Sequence, residues 1–189
     1  MNNPNIDFVI EVLFATSRDK HASLRKSSLL ALDILHKKTP NDSVTYLKAR
    51  HLLPFFYRSL NDKDKQVRNC ALLCIQNFGP QGELMFIEGV TKDRNYLIRQ
   101  ECATGLAQIG PTTFRTLLLA LHDQHPGVRD AASIGILRHM TPDDVDEAFR
   151  EKEHQRQTIK CAIREVLANN LTLINEIRNF LSQVMQVFD

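Results

Sequence analysis

The sequence predicts an all-α protein, a right-handed α-solenoid of about five antiparallel helix pairs closed by a C-terminal capping helix. Three observations lead there. The stretch Asp62–Pro80, DKDKQVRNCALLCIQNFGP, returns 31 residues later as DRNYLIRQECATGLAQIGP and 30 residues after that as DQHPGVRDAASIGILRHMT. Each copy sets an Arg six residues after an Asp: Asp62 and Arg68, Asp93 and Arg99, Asp123 and Arg129, with Asp19 and Arg25 as a fourth pair. Between these marks the apolar residues recur at helical spacing. A fixed period of this size marks a repeat array, in which no unit can bury its apolar face except against its neighbours.

The elements follow in order. Residues 5–17 read as a helix with Ile6, Val9, Ile10, Leu13 and Phe14 on one side, paired with a second over about His21 to Lys38 that carries Leu24, Leu29, Leu32 and Leu35. Thr39–Ser43 breaks the pattern. The next helix, Val44 to Leu60, holds Pro54 inside an apolar run, where the missing donor should bend it. Asp64 suits the N-cap of a helix reaching Phe78, with Val67, Ala71, Ile75 and Phe78 buried. Gly79-Pro80 ends that helix and opens the next, and Gly110-Pro111 repeats the device. Leu84, Ile87 and Val90 mark the following helix, and Asn95 caps one that buries Ile98, Cys102, Leu106 and Ile109. Phe114, Leu117, Leu118 and Leu121 precede a helix opened by Pro126 that buries Val128, Ala132, Ile136 and His139. Thr141-Pro142 opens a fifth unit, in which His154 stands where the period calls for Asp. The units fall at 5–38, 43–79, 80–110, 111–140 and 141–169, with a terminal helix over 171–188, in a single domain spanning 1–189.

Composition bounds the function. The chain is 43% apolar and 24% charged, with no membrane-spanning apolar run and no secretory leader at its start. Cys70, Cys74, Cys102 and Cys161 all lie within predicted helices, the distribution of a reduced, intracellular protein. Residues 1–61 hold nine Lys/Arg against five Asp/Glu, a net +4, whereas residues 141–189 hold six against nine, a net −3. There is no Gly-rich phosphate loop, HExxH, CxxC or GxSxG. Cys70 and Cys74, four apart on one helix, and His122 and His125 around Asp123 could each touch a metal, but packing and turn roles account for both sets. No catalytic, cofactor or metal residue is assigned, and no cofactor is expected.

These residues resemble HEAT repeats. The stretch HLLPFFYRSLNDKDKQVRNCALLCIQNFG looks like one full unit of that family, with Pro54 on the first-helix proline, Asp62 on the turn aspartate, Val67-Arg68 at the start of the second helix and Ala71 at the small packing position. The later units look like the compact HEAT-like, armadillo-like subtype. The resemblance implies a solenoid and a role in binding proteins, without fixing a partner. Some HEAT-like proteins are di-iron hydroxylases that use repeated His-Glu dipeptides; this chain has none and reads Arg99-Gln100-Glu101 at the matching place. Tubulin-binding arrays of the TOG kind use the inter-helix turns, but they place a Trp there and this chain has none.

Two surfaces stand out. In a solenoid the turns line one edge, so Arg18, Lys20, Lys63, Lys65, Lys92 and Arg94 form a basic ridge, with Tyr96 beside it and the Asp–Arg ladder holding the stack. On the last helix Phe180, Met185 and Val187 widen the apolar side and suggest end-to-end docking. The function expected is a non-catalytic protein-binding scaffold or adaptor subunit of a larger assembly in the cytoplasm, with cytoskeletal or microtubule association among its forms. The first alternative is binding of nucleic acid or the ribosome through the basic ridge; the second, an enzyme, would require a buried polar constellation that the sequence does not display.

Overall fold

Helix starts are set by short side chains that accept backbone hydrogens. Asp64 accepts from the Gln66 and Val67 amides at 2.8 and 3.3 Å, Asn95 from Leu97 at 3.0 Å, and the His125 ring from Gly127 at 3.2 Å. Thr141 and Asp144 form a reciprocal capping box. The computed structural model describes the backbone of residues 4–38, 45–168 and 175–188 and the side chains of 8–38, 52–168 and 175–188. The Ile6 side chain, the breaker at Thr39–Ser43 and the expected start of the last helix at Leu171 to Ile174 lie outside these described residues.

The described residues form α1 (Pro4–Thr16), α2 (Ala22–Lys38), α3 (Thr45–Ser59), α4 (Lys65–Gln76), α5 (Pro80–Lys92), α6 (Tyr96–Ile109), a 3-10 turn (Pro111–Thr113), α7 (Phe114–Ala120), α8 (Pro126–His139), α9 (Pro142–Phe149), α10 (Glu153–Ala168) and α11 (Asn175–Phe188). These elements are all helical, and α1–α2, α2–α3 and α3–α4 pack in sequence, as do α6–α7, α7–α8, α9–α10 and α10–α11. Pro54 sits on the exposed side of α3. The chain divides into two compact units, Met1–Met85 and Phe86–Asp189.

Two boundaries differ from expectation. α4 stops before Phe78 because the Phe78 and Gly79 amides bond three residues back, to Ile75 and Gln76, and Gly79 then turns the chain at φ +56°. Pro111 opens a 3-10 turn instead of an α-helix. There the buried Thr113 hydroxyl reaches both the Leu106 and Gly110 carbonyls, at 2.8 Å each.

In the first unit α2 and α3 pack on α4, and α1 packs on α2. Leu29, Leu32, Phe56, Leu60, Val67, Ala71 and Ile75 are buried. Phe14 meets Phe55 edge-on with ring centres 4.7 Å apart. Phe78 lies half-buried between Phe56 and a stacked His36.

In the second unit the closest pair is α6 and α8. A Cβ added at Gly135 on α8 would overlap the Ala107 side chain on α6, and one at Gly105 would meet the Phe86 ring at 2.8 Å. α11 packs on α8, α9 and α10.

Several expected core residues lie elsewhere. Val9 and Leu24 are exposed on the outer side of the first helix pair. Leu84 is exposed because α5 buries Phe86 and Val90, one turn apart, in its place. His139 is exposed and the next residue, Met140, is buried.

Gly135→Ala should lower the urea midpoint by the equivalent of about 1–2 kcal/mol. The overlap with Ala107 outweighs the roughly 1 kcal/mol that alanine gains in helix propensity. A more stable variant would contradict the close α6–α8 approach.

Candidate interaction surfaces

The four Asp–Arg pairs share one local geometry. The carboxylate of each Asp accepts the backbone N–H two residues on, at 2.7 Å for Asp19 and 2.8 Å for Asp62, Asp93 and Asp123. This fixes the turn between helices. Six residues later, one guanidinium nitrogen of the Arg donates back into the same turn. Arg25 reaches the Asp19 and Lys20 carbonyls, Arg68 those of Asp62 and Lys63, Arg99 those of Asp93 and Arg94, and Arg129 those of Asp123 and Gln124. All eight bonds lie between 2.8 and 3.3 Å. The backbone carbonyls therefore belong to the arginine's own turn.

The outer edge of the guanidinium reaches the next unit. Within the first compact unit Arg25 Nε and Nη2 donate to Asp62 at 2.7 and 2.6 Å. Within the second, Arg99 Nε and Nη2 donate to Asp123 at 2.6 and 2.9 Å. These forked pairs are shielded, with side-chain exposures of 8% and 14% for the first and 17% and 10% for the second, so they belong to the strong, charge-assisted class. In the fifth unit a buried Lys160 stands at the arginine position.

Burial acts to raise the Asp62 and Asp123 carboxyls, but the arginine forks and the turn N–H bonds outweigh it and hold both below the ordinary carboxylate value. The hydrogen bonds of the same forks push Arg25 and Arg99 up. A carboxyl lowered on folding stabilises the fold above its unfolded pKa, and that contribution drains as pH falls through the folded value.

The geometry has a consequence for the basic turn residues. The residue after each ladder Asp turns its carbonyl inward to the Arg, and in three of the four cases it is Lys20, Lys63 or Arg94. Their side chains, with those of Arg18, Lys65 and Lys92, are exposed. Lys92 pairs with Glu88 on its own helix at 3.0 Å, in the open. Tyr96 is 46% exposed, and one face of its ring stacks on His125 at 3.7 Å. In the first unit Arg18, Lys20, Lys63 and Lys65 thus lie on turns whose acidic groups are already engaged, and in the second unit Lys92 and Arg94 do.

The last helix does not present the surface expected of it. Phe180 is 6% exposed and its ring lies 6.1 Å from that of Phe114, so it is a packing residue and not a docking one. Met185 is half-buried and Val187 is at the margin of exposure, while the outward side carries Asn175, Asn179, Ser182, Gln183 and Gln186.

The metal candidates are taken up otherwise. Cys70 and Cys74 are buried, and each Sγ lies 3.8 Å from a carbonyl of α2. The hydrogen bond to Cys70, reinforced by burial, drives the Cys74 thiol far above its ordinary range. Asp123 is held by Arg99, and His125 caps α8. Among the described residues no three His, Cys, Asp or Glu side chains are grouped to hold a metal ion.

A HEAT repeat model matches residues 52–82, the α3–α4 pair and the turn into α5. No curated protein matches the chain. Two solved structures resemble it weakly. One is an engineered protein, 15% identical over 95% of this chain and 96% of that one, with a TM-score of 0.38. The other is a computationally designed armadillo repeat protein for modular peptide recognition, 14% identical over 100% of this chain and 87% of that one, with a TM-score of 0.42. The chain thus contains a HEAT-repeat-like all-α region, an architecture suited to protein binding.

Arg99→Ala removes four hydrogen bonds and strands a shielded Asp123. It should cost about 3 kcal/mol and lower the melting temperature by roughly 6–12 °C. Arg99→Lys should recover little, because an ammonium cannot make the fork. In acid the wild type should lose stability below about pH 4, and Asp123→Asn should flatten that limb while lowering the plateau at neutral pH. Urea midpoints at several pH values read both effects.

Proposed function

We propose that the chain is a non-catalytic scaffold or adaptor that binds a protein partner through the turn edges of its helix pairs, the partner presenting an acidic surface. One observation carries the reading. Arg25 and Arg99 hold Asp62 and Asp123 and the ladder arginines take the turn carbonyls, while Arg18, Lys20, Lys63, Lys65 and Arg94 remain exposed on those edges, with Lys92 exposed beside its partner Glu88. A cation whose own backbone is pinned is presented at low entropic cost, which favours docking to fixed acidic groups. Helical repeats offer extended faces of this kind without a pocket. The placement of Cys70, Cys74, Cys102 and Cys161 on helices, three of them buried, is compatible with a reducing, intracellular setting. Among the described residues no helix is long and apolar enough to cross a membrane.

Binding to a nucleic-acid backbone is the second reading, favoured by the Tyr96–His125 stack beside Arg94. Affinity capture with the full chain separates the two. The protein reading expects captured proteins to survive nuclease and to be lost when Lys63→Glu, Lys65→Glu, Lys92→Glu and Arg94→Glu are combined. Loss on nuclease treatment would favour the second reading, and capture unchanged by the four reversals would remove the turn edges from both.

A further inference from the structure

The ladder stops short of the fifth unit and leaves one fork half used. Arg129 donates through Nη1 to the Asp123 and Gln124 carbonyls at 2.8 and 3.0 Å, as the other ladder arginines donate into their own turns. In Arg25 and Arg99 the remaining edge, Nε with Nη2, closes on Asp62 and Asp123. In Arg129 the same edge makes no hydrogen bond among the described residues. Both of its nitrogens stay open to solvent, although the residue as a whole is half-buried.

The reason lies in the next turn. α4, α6 and α8 each begin three residues after a ladder aspartate, at Lys65, Tyr96 and Pro126, so a turn separates the carboxylate from the helix. α10 begins at Glu153, one residue before His154, the ladder position of the fifth unit. It thus starts early and takes the place of the turn, with no carboxylate at the ladder position. The acids around that point in the chain do not replace it. Glu153 accepts from Gln157 on its own helix at 2.6 Å, and Asp146 pairs with Arg156 at 2.6 Å. Glu147 and Glu151 are exposed, and their side chains make no hydrogen bond.

We infer that the open edge of Arg129 is a binding site for a carboxylate, that of an aspartate displayed on a surface turn of a protein partner. The filled forks show what fits. A guanidinium edge offers two parallel N–H donors and a full charge, the arrangement that takes a carboxylate in bidentate fashion. Asp62 and Asp123, which fill the forks of Arg25 and Arg99, each also accept the N–H two residues on, at 2.8 Å. An aspartate in a tight turn is therefore the shape that this fork receives, which favours it over a phosphate. The two carbonyl bonds already hold the Arg129 guanidinium in place, so little side-chain freedom is lost on binding. The site lies on the turn edge of the second compact unit and gives the acidic partner proposed above a specific anchor, so the inference rests on that reading for its class of partner.

Arginine Nε–H NMR of the full chain, titrated with the peptide deca-aspartate at low salt, tests it. In the free protein the Nε–H groups of Arg25 and Arg99 should exchange slowly with water and that of Arg129 fast. Deca-aspartate should move the Arg129 signal and slow its exchange about tenfold or more, leaving Arg25 and Arg99 unchanged. Arg129→Lys, which has no outer carboxylate to strand, should melt near the wild type yet bind the peptide about tenfold more weakly. The four reversals of the capture experiment leave Arg129 untouched, and its response should persist in that variant. Capture unchanged by those reversals removes the ridge, whereas an Arg129 signal unmoved by bound peptide removes the fork, so the two proposals fail separately. An Arg129 Nε–H as protected as that of Arg99 in the free protein overturns the inference, because the fork is then filled from within. Deca-aspartate that fails to bind overturns it too, as does a signal that moves only with an oligothymidylate of the same length, which makes the ligand a phosphate.

Discussion

A guanidinium carries five N–H donors and no acceptor, so an arginine drawn out of water must find an oxygen for nearly every face of its fork. Arg25 and Arg99 do so by dividing the fork between two tasks. One nitrogen closes the turn that precedes the helix, and the other edge grips the aspartate of the next unit. That aspartate is in turn the residue whose carboxylate sets its own turn, through the N–H two residues on. A single side-chain pair therefore couples local turn geometry to the step between units. A shift of either helix along its axis would leave a shielded charge unpaired, which costs more than any apolar mismatch of similar size. Apolar burial supplies the driving force, and the ladder selects the register in which that burial occurs.

Two packing styles satisfy this constraint. In the first unit bulky rings fill the space between helices, with Phe56 buried, Phe78 half-buried beside it and the buried thiols of α4 set against α2. In the second, glycine and alanine bring α6 and α8 nearly into backbone contact, and Phe86 occupies the space that Gly105 leaves open. Each style fixes the separation of the helices within its unit to a narrow range, since protein interiors tolerate neither voids nor overlap. The charged turns are then held by short bonds, and the cations next to the ladder aspartates point into water with their backbone fixed.

Much of this was legible in the sequence, for physical reasons that differ by residue. The repeat, the N-caps at Asp64 and Asn95, and the Gly79-Pro80 punctuation depend on local chemistry that a linear string displays directly. The ladder was half legible. The six-residue spacing put Asp and Arg at opposite ends of one turn, but the partition of the fork depends on where helices from different units come to rest. Burial was the least legible property. Phe180 and Leu24 look equally apolar in the string, yet one is covered by Phe114 and the other is open, because coverage is decided by neighbours far along the chain. Leu84 misled for a different reason. A helix with residues such as Phe86 and Leu84 two apart can bury either side, and the larger ring won.

The most direct test of the ladder as the determinant of stacking is a double-mutant cycle on Arg25 and Asp62, comparing Arg25→Ala, Asp62→Ala and the double variant by urea denaturation. Because Asp62 also sets its own turn, only the coupling energy reports the contact between units. A coupling of about 2 kcal/mol or more is expected for a shielded, forked pair. Simple additivity of the two single changes would mean that apolar packing alone fixes the step, and would contradict the account.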